Sequence, residues 1–66
     1  MANKIHEIIK ESGIKTTFVI KKAGLSKSAF YSIANGDSIP SLISARKISN
    51  ALGKSIEEVF PEIIGD

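Results

Sequence analysis

Regularly placed glycines constrain this chain more than any other feature of its sequence. They divide most of it into short segments, at Gly13, Gly24, Gly36 and Gly53. Within the segments, apolar residues recur three or four positions apart, which is the spacing of one face of an α-helix. The sequence has no period-two alternation of useful length. The pattern therefore predicts an all-α fold of short amphipathic helices that glycines terminate.

Five helices are predicted, and small hydroxyl residues mark the starts of most of them. The first helix runs from about Asn3 to Ser12. The expected N-caps of helices two to five are Thr16 or Thr17, Ser26, Ser41 and Ser55. Ser55 and Glu58 have the form of a capping box, and Pro61 curtails the short fifth helix. The residues expected to face the core are Ile5, Ile8, Ile9, Val19, Ile20, Ala23, Phe30, Ile33, Leu42, Ala45, Ile48, Ser49, Leu52, Val59 and Phe60.

The length bounds the architecture to one small domain over residues 1–66. The chain contains no cysteine, so neither a disulfide framework nor a thiolate metal site can stabilise it. Stability must come from an apolar core, extended in some chains of this size by self-association. There is no run of 18 apolar residues and no secretory leader pattern, so we expect no membrane span and a cytoplasmic protein.

Charge is unevenly distributed along the sequence. Residues 15–54 contain seven lysines and arginines against the single carboxylate of Asp37, a net charge of +6, whereas residues 55–66 carry −4. A basic middle and an acidic end favour a polyanion as partner for one face of the molecule. Unevenly spread surface lysines without a function are the alternative.

The junction between helices two and three is very short. Gly24 can take the left-handed conformation, Leu25 can plug the core, and Ser26 starts the next helix at once. Such a connection makes two helices cross steeply, as in a helix-turn-helix, whose second helix enters the major groove of DNA. The N-terminal turn at residues 26–28 suits phosphate, because backbone N–H groups, the helix dipole and Lys27 all favour an anion.

Three stretches of the chain together resemble the Cro/phage-repressor (Xre-like) helix-turn-helix family. They are GLSKSAFYSIANG at 24–36, PSLISARKISNALG at 40–53 and SIEEVF at 55–60. With the first two helices, the resemblance covers nearly the whole chain. It implies a five-helix domain whose helices two and three form the helix-turn-helix.

The resemblance also implies site residues. The positions that usually reach bases are held here by Lys27, Ser28 and Ser32, with Tyr31 as a further candidate. Positions expected at phosphates are Lys15, Thr16, Thr17, Ser26 and Asn35. Purely structural roles remain open for three of these residues: Ser26 as an N-cap, Lys27 as a solvated charge, and Tyr31 as a ring packed on helix two.

Phe18 stands where the family usually has a polar residue. It lies off the apolar stripe of helix two, so it is either partly exposed or packed beside helix one. We favour a slightly rotated helix two that buries the ring.

Catalytic and metal chemistry find no support in the sequence. His6 is the only histidine and has no cysteine nearby, so a metal site and an oriented nucleophile pair are both unexpected. There is no phosphate loop of the P-loop type, and a domain this small has little room for a desolvated pocket. We predict no enzyme activity, no metal and no cofactor.

The predicted function is a sequence-specific, double-stranded DNA-binding transcriptional regulator, a repressor, that reads the major groove with helix three. One such helix reads only a few base pairs, so the partner is a near-palindromic operator bound by a homodimer. The residues offered for the dimer interface are Ile56, Val59, Phe60, Ile63 and Ile64. A fold-back of Ile63 and Ile64 on a monomer is the alternative there. For function, the alternative is a protein-interaction module on the same fold, of the antitoxin or anti-repressor type.

Overall fold

Short helices joined by tight turns make up most of this protein. The computed structural model describes residues 2–64, and the side chains of residues 2–62. Its helices are α1 (Ile5–Ser12), α2 (Thr16–Ala23), α3 (Lys27–Ala34), α4 (Leu42–Leu52), α5 (Ile56–Val59) and α6 (Pro61–Ile64). The described residues form no strand. The prediction of an all-α fold with a helix-turn-helix at α2 and α3 is confirmed.

All three predicted serine caps are present. The side-chain oxygens of Ser26 and Ser41 accept hydrogen bonds from the backbone N–H groups of Ala29 and Ser44, each at 3.1 Å. Each bond satisfies a backbone donor of the first helical turn that has no partner within the helix.

At the start of α5 the capping box is complete. The Ser55 hydroxyl oxygen accepts from the N–H of Glu58, while the Glu58 carboxylate accepts from the N–H of Ser55 at 2.8 Å. This backbone hydrogen bond and a second one from the Ser55 hydroxyl hold the pKa of Glu58 below its usual value.

Other helix boundaries differ from the sequence prediction. Helix α1 starts at Ile5, because the Asn3 side-chain oxygen accepts the N–H of Ile5 and leaves Asn3 outside the helix. The prediction that Thr16 or Thr17 caps α2 is wrong: Lys15 occupies the cap position, and its side chain makes no cap hydrogen bond. Pro61 ends α5 as expected and also begins α6, since proline at a first helical position lacks only a donor that would have no helical partner.

The core is formed by buried residues from α1 to α5 and the residue that follows α5. Phe30, Phe60, Ile5, Ile48, Val19 and Val59 are its largest fully enclosed apolar side chains. A backbone hydrogen bond of 2.9 Å from the N–H of Lys4 to the carbonyl of Val59 ties the start of the chain to α5. Ile9 and Ile20, expected inside, are only partly buried against this core.

Two apolar side chains expected inside the protein are exposed instead. Leu42 is 55% exposed, because it is the first residue of α4, and the burial of that helix begins one turn later at Ala45. Phe18 is 53% exposed, so the prediction of a buried ring is wrong. Helix α2 turns Val19 and Ala23 to the core and leaves the neighbouring Phe18 ring outside, where the Lys22 ammonium lies 5.7 Å from its centroid.

Ser49 faces inward as predicted and is 1% exposed. Its hydroxyl oxygen is buried, with no hydrogen-bond partner within the described part of the chain. A buried hydroxyl without a partner lowers stability, because it loses its bonds to water without replacement.

Candidate nucleic-acid interface

Gly24 sets the crossing of α2 and α3. Its φ of 72° lies in the left-handed region, where a residue with a Cβ atom would be strained. In this conformation the Gly24 N–H donates to the carbonyls of Ile20 and Lys21, at 3.1 and 3.2 Å, and closes the end of α2. The half-buried Leu25 packs against the core, and Ser26 caps the next helix. The two helices therefore meet through a single fixed turn.

Helix α3 has two chemically different faces. Phe30, Ile33 and Ala34 are buried in the core. The first turn, residues 27–29, is exposed, and Tyr31 and Ser32 are half-buried beside it. The core thus fixes one side of the helix and leaves the start of the other side open to a partner.

The exposed start of α3 has a positive electrostatic potential. Ser26 caps the Ala29 N–H, and the helix carries no acidic residue in its first turn. Lys27 adds a full positive charge next to backbone N–H groups that precede the first intrahelical bonds. An anion at this position meets backbone donors and a cation, and no acidic side chain of the first turn.

Ser28 and Ser32 lie one turn apart on α3, but their surroundings differ. Ser28 is exposed. The hydroxyl of Ser32 is hydrogen-bonded to the hydroxyl of Ser38, and its carbonyl accepts the N–H groups of Asp37 and Ser38 at 2.9 and 3.1 Å. Ser32 therefore fixes the loop that follows α3, whereas its contact with bases stays a prediction.

Tyr31 packs on its sequence neighbour rather than standing free. Its ring meets the Phe30 ring edge-on, with the centroids 5.6 Å apart and the planes at 83°. This contact half-buries Tyr31 against the core. A role in reading bases stays a prediction for this residue as well.

The start of α2 provides a second set of backbone donors. The intrahelical bonds begin with the N–H groups of Phe18 and Val19, which donate to the Lys15 carbonyl at 3.0 and 3.2 Å. The N–H groups of Thr16 and Thr17 precede them in the first turn. Thr17 and Lys15 are exposed, and Thr16 is half-buried. A phosphate role for these three residues, as for Ser26, stays a prediction.

Asn35 lies at the opposite end of α3, as its C-terminal cap. The side-chain oxygen of Asn35 accepts a hydrogen bond from Nε2 of His6, at 2.9 Å. Just before α1, the side-chain amide of Asn3 donates to the carbonyl of Ile33, also at 2.9 Å. The start of α1 therefore holds the end of α3, a link between residues about thirty positions apart that no local sequence pattern predicts.

Ala29 is a further exposed residue at the start of α3, and the sequence pattern did not single it out. It is exposed in the first turn of α3, next to Lys27 and Ser28. Its methyl group is of a size and polarity that suit contact with the methyl group of thymine. The available signal was its place at the third position of a short helix whose fourth residue, Phe30, is buried.

The predicted dimer interface is wrong in two of its residues. Val59 and Phe60 are completely buried in the core of their own chain, so a partner cannot reach them. Ile56 is partly buried against the same core. The side chains of Ile63 and Ile64 lie outside the part of the chain that the structure describes. Among the described residues, the large exposed aliphatic side chains are those of Ile39, Leu42 and Ile43, which we name the apolar patch.

The described residues provide neither a metal-binding cluster nor a membrane-spanning helix. Among the described residues, no group of three or more histidine, cysteine, aspartate and glutamate side chains is placed to hold a metal ion. None of the described helices has the length and apolar character needed to cross a membrane.

Comparison with known proteins gives one informative match. The family model described as helix-turn-helix matches residues 5–59, which begin at the first residue of α1 and end at the last residue of α5. No curated protein and no solved structure matches the chain significantly. Members of the matched family are DNA-binding regulators and are generally not enzymes. Since the match covers most of the sequence, and since α2, Gly24 and α3 form the expected motif, the chain belongs to the Xre/Cro-like helix-turn-helix family.

Proposed function

We propose that this chain is a sequence-specific transcriptional repressor that binds double-stranded DNA and has no enzyme activity or cofactor. It reads the major groove with α3 and binds a near-palindromic operator as a homodimer. We expect it to act in the cytoplasm, as one domain.

The exposed first turn of α3 is the observation that carries this proposal. Lys27, Ser28 and Ala29 are open to solvent, while the same helix is anchored in the core through Phe30 and Ile33. In a helix-turn-helix, the N-terminal residues of the second helix approach base edges. Lysine and serine can hydrogen-bond to base edges there, and an alanine methyl leaves room for close approach.

Selection of binding sites from random duplex DNA tests the base-reading role. We expect the parent protein to enrich a short, near-palindromic sequence. Lys27→Ala and Ser28→Ala should change the preferred bases, with a loss of ~1–3 kcal/mol at the selected site if a good base contact is removed. Lys54→Ala removes a charge just after α4 and serves as the matched lysine control. An unchanged preference in the α3 variants would show that α3 does not read the sequence.

Phosphate contacts make a different prediction. Replacing Lys15 or Asn35 by alanine should lower affinity about equally for selected and random duplexes, because phosphates carry no sequence information. For Lys15→Ala, the slope of log affinity against log salt should also become shallower, by about 0.9 for each phosphate charge no longer neutralised. A loss confined to the selected duplex would contradict this assignment.

The apolar patch is the surface we propose for the homodimer. Ile39 is 79% exposed and Ile43 is 70% exposed, and with Leu42 they lie within five residues of one another. The buried Pro40 and the Ser41 cap hold this segment firmly between α3 and α4. Exposed aliphatic clusters of this kind mark protein contacts. Because the segment follows the proposed reading helix, contact between two copies here leaves the exposed start of α3 available to DNA.

Sedimentation over a range of protein concentrations tests the dimer. Ile43→Ser should shift the parent toward the monomer, whereas Phe18→Ser, which removes an exposed apolar side chain outside the patch, should not. Equal sedimentation of the parent and Ile43→Ser at every concentration would exclude this surface.

The same patch favours a second candidate function. It can bind another protein, which would make the chain an antitoxin- or anti-repressor-type interaction module. Salt separates the two functions: DNA affinity falls steeply with added salt, whereas an interface of aliphatic side chains responds weakly. A parent protein that selects no duplex sequence, and whose affinity for a protein partner changes little with salt, would favour the second function.

A further inference from the structure

We propose that His6 is a positioning residue for DNA binding, which acts by orienting the side chain of Asn35 toward a phosphate. The inference rests on the proposed DNA-binding function. It concerns the hydrogen bond between α1 and the end of α3, which the sequence did not predict.

The chemistry of the contact defines the orientation of both side chains. An amide oxygen only accepts hydrogen bonds, so the 2.9 Å contact requires that Nε2 of His6 carries a hydrogen and donates it to Oδ1 of Asn35. With Oδ1 engaged, the polar group that Asn35 can offer to a ligand is its N–H2. This group is a donor, and a phosphate oxygen is an acceptor. His6 thus selects the end of the amide that suits DNA.

The position of the pair supports the same role. Asn35 is exposed and caps the C-terminal end of α3, whereas the exposed residues Lys27 and Ser28 are at its N-terminal end. An isolated exposed asparagine rotates freely, and ordering it on DNA costs conformational entropy. The hydrogen bond to His6 limits that rotation before DNA binds. Asn3, which lies just before α1 and donates to the Ile33 carbonyl, holds the backbone close to Asn35.

Affinity for the selected duplex, measured for a set of single and double variants, tests the inference. Asn35→Ala should weaken binding about three- to tenfold, the value of one ordinary hydrogen bond. His6→Ala should weaken it by a smaller or equal factor. In the Asn35→Ala background, His6→Ala should have no further effect, because a positioning residue acts only through its partner.

His6→Gln provides the conservative rescue. Glutamine has an amide N–H2 group that can replace Nε2 as the donor to Asn35, so this variant should bind close to the parent level. Asn50→Ala, which truncates an exposed asparagine in α4, is the matched control and should leave affinity unchanged. All variants should unfold at nearly the same temperature as the parent, since both side chains of the pair are exposed.

The possible failures are distinct. If the parent binds no duplex, both the proposed function and this inference are overturned. If the parent binds duplex DNA and His6→Ala binds equally well, the inference alone is wrong. It is also wrong if His6→Ala weakens Asn35→Ala further, because His6 would then contact DNA independently, or if His6→Gln is as weak as His6→Ala.

Discussion

The first turns of α3 and α4 share the same backbone geometry but expose side chains of opposite chemical character, polar in α3 and apolar in α4. Ser26 and Ser41 cap them with nearly identical backbone angles, φ −71° and ψ 155° against φ −68° and ψ 163°. Each serine oxygen accepts the N–H three residues later at 3.1 Å. After the cap, α3 exposes lysine, serine and alanine at 27–29, whereas α4 exposes leucine and isoleucine at 42–43.

This comparison shows that the residues that start a helix are not the residues that determine what its surface can bind. A serine cap stabilises the first turn in both helices, whatever partner the helix meets. The side chains that follow the cap decide the partner: a cation and small groups suit DNA, and bare aliphatic groups suit a protein surface. The same serine cap therefore precedes two chemically different surfaces in a chain of 66 residues.

The largest expected effect concerns the core beneath α3. Phe30→Ala should lower the free energy of unfolding by ~3–5 kcal/mol, because it leaves a cavity where a fully buried ring was. Since a domain this small has little stability to lose, Phe30→Leu supplies a milder variant that can be measured if the alanine variant does not fold. Urea unfolding followed by circular dichroism measures both.

Phe18→Ala is the matched phenylalanine control. Its ring is 53% exposed, so its truncation should change the free energy of unfolding by only ~0.5 kcal/mol. A loss as large as that of Phe30→Ala would mean that α2 buries Phe18, contrary to the structure.

The second prediction compares the first residues of the two helices. Lys27→Ala should reduce discrimination for the selected duplex by ~1–3 kcal/mol and leave sedimentation of the free protein unchanged. Leu42→Ala should weaken self-association and leave the preferred bases unchanged. Binding-site selection and sedimentation of both variants measure the two effects. A change in self-association for Lys27→Ala, or in preferred bases for Leu42→Ala, would refute the assignment of separate roles to the two surfaces.

The third prediction concerns what the two helices share. Ser26→Ala and Ser41→Ala should each lower the free energy of unfolding by about 1 kcal/mol, because each leaves the same kind of N–H group without its cap. Urea denaturation of both variants gives the comparison. A loss in one variant only would show that equal cap geometry does not mean equal stabilisation here.

The smallest effect is expected at the third serine-capped helix. Hydrogen bonds from the N–H and hydroxyl of Ser55 lower the pKa of Glu58 in the folded protein, so its charged form stabilises the fold. That stabilisation is present above the ordinary pKa of glutamate and is lost as the pH falls through the lowered value. Stability measured during acidification should therefore fall more for the parent than for Glu58→Gln, which has no such carboxyl. Parallel pH curves would contradict a role for this carboxylate.

The local structural features of the chain, its helix caps and its buried helix faces, were largely predictable. Serine caps and the capping box depend on hydrogen bonds between residues three positions apart in the sequence. Ser26, Ser41 and Ser55 could therefore be assigned from sequence alone. Helical periodicity likewise identified most of the buried residues. The periodicity did not predict the exposure of Leu42 and Phe18, because exposure near the start of a helix depends on whether another element covers that surface.

The candidate site was predictable only in part. Its place on α3 followed from the short junction at Gly24 and from the resemblance that the family match later confirmed. The hydrogen bonds of Ser32 to Ser38 and of Asn35 to His6 could not be read in advance. Sequence spacing says nothing about side-chain partners across a loop or between helices.

The sequence by itself determined the all-α class, the three serine caps and the helix-turn-helix, because these depend on interactions within one or two helical turns. Only the tertiary structure decided which apolar residues were left for a partner. Val59 and Phe60 are enclosed by residues distant along the chain, whereas the described part of the chain leaves Ile39, Leu42 and Ile43 largely exposed. The physical reason is that burial is a property of the whole packed chain, and a hydrophobic pattern records only which residues favour it.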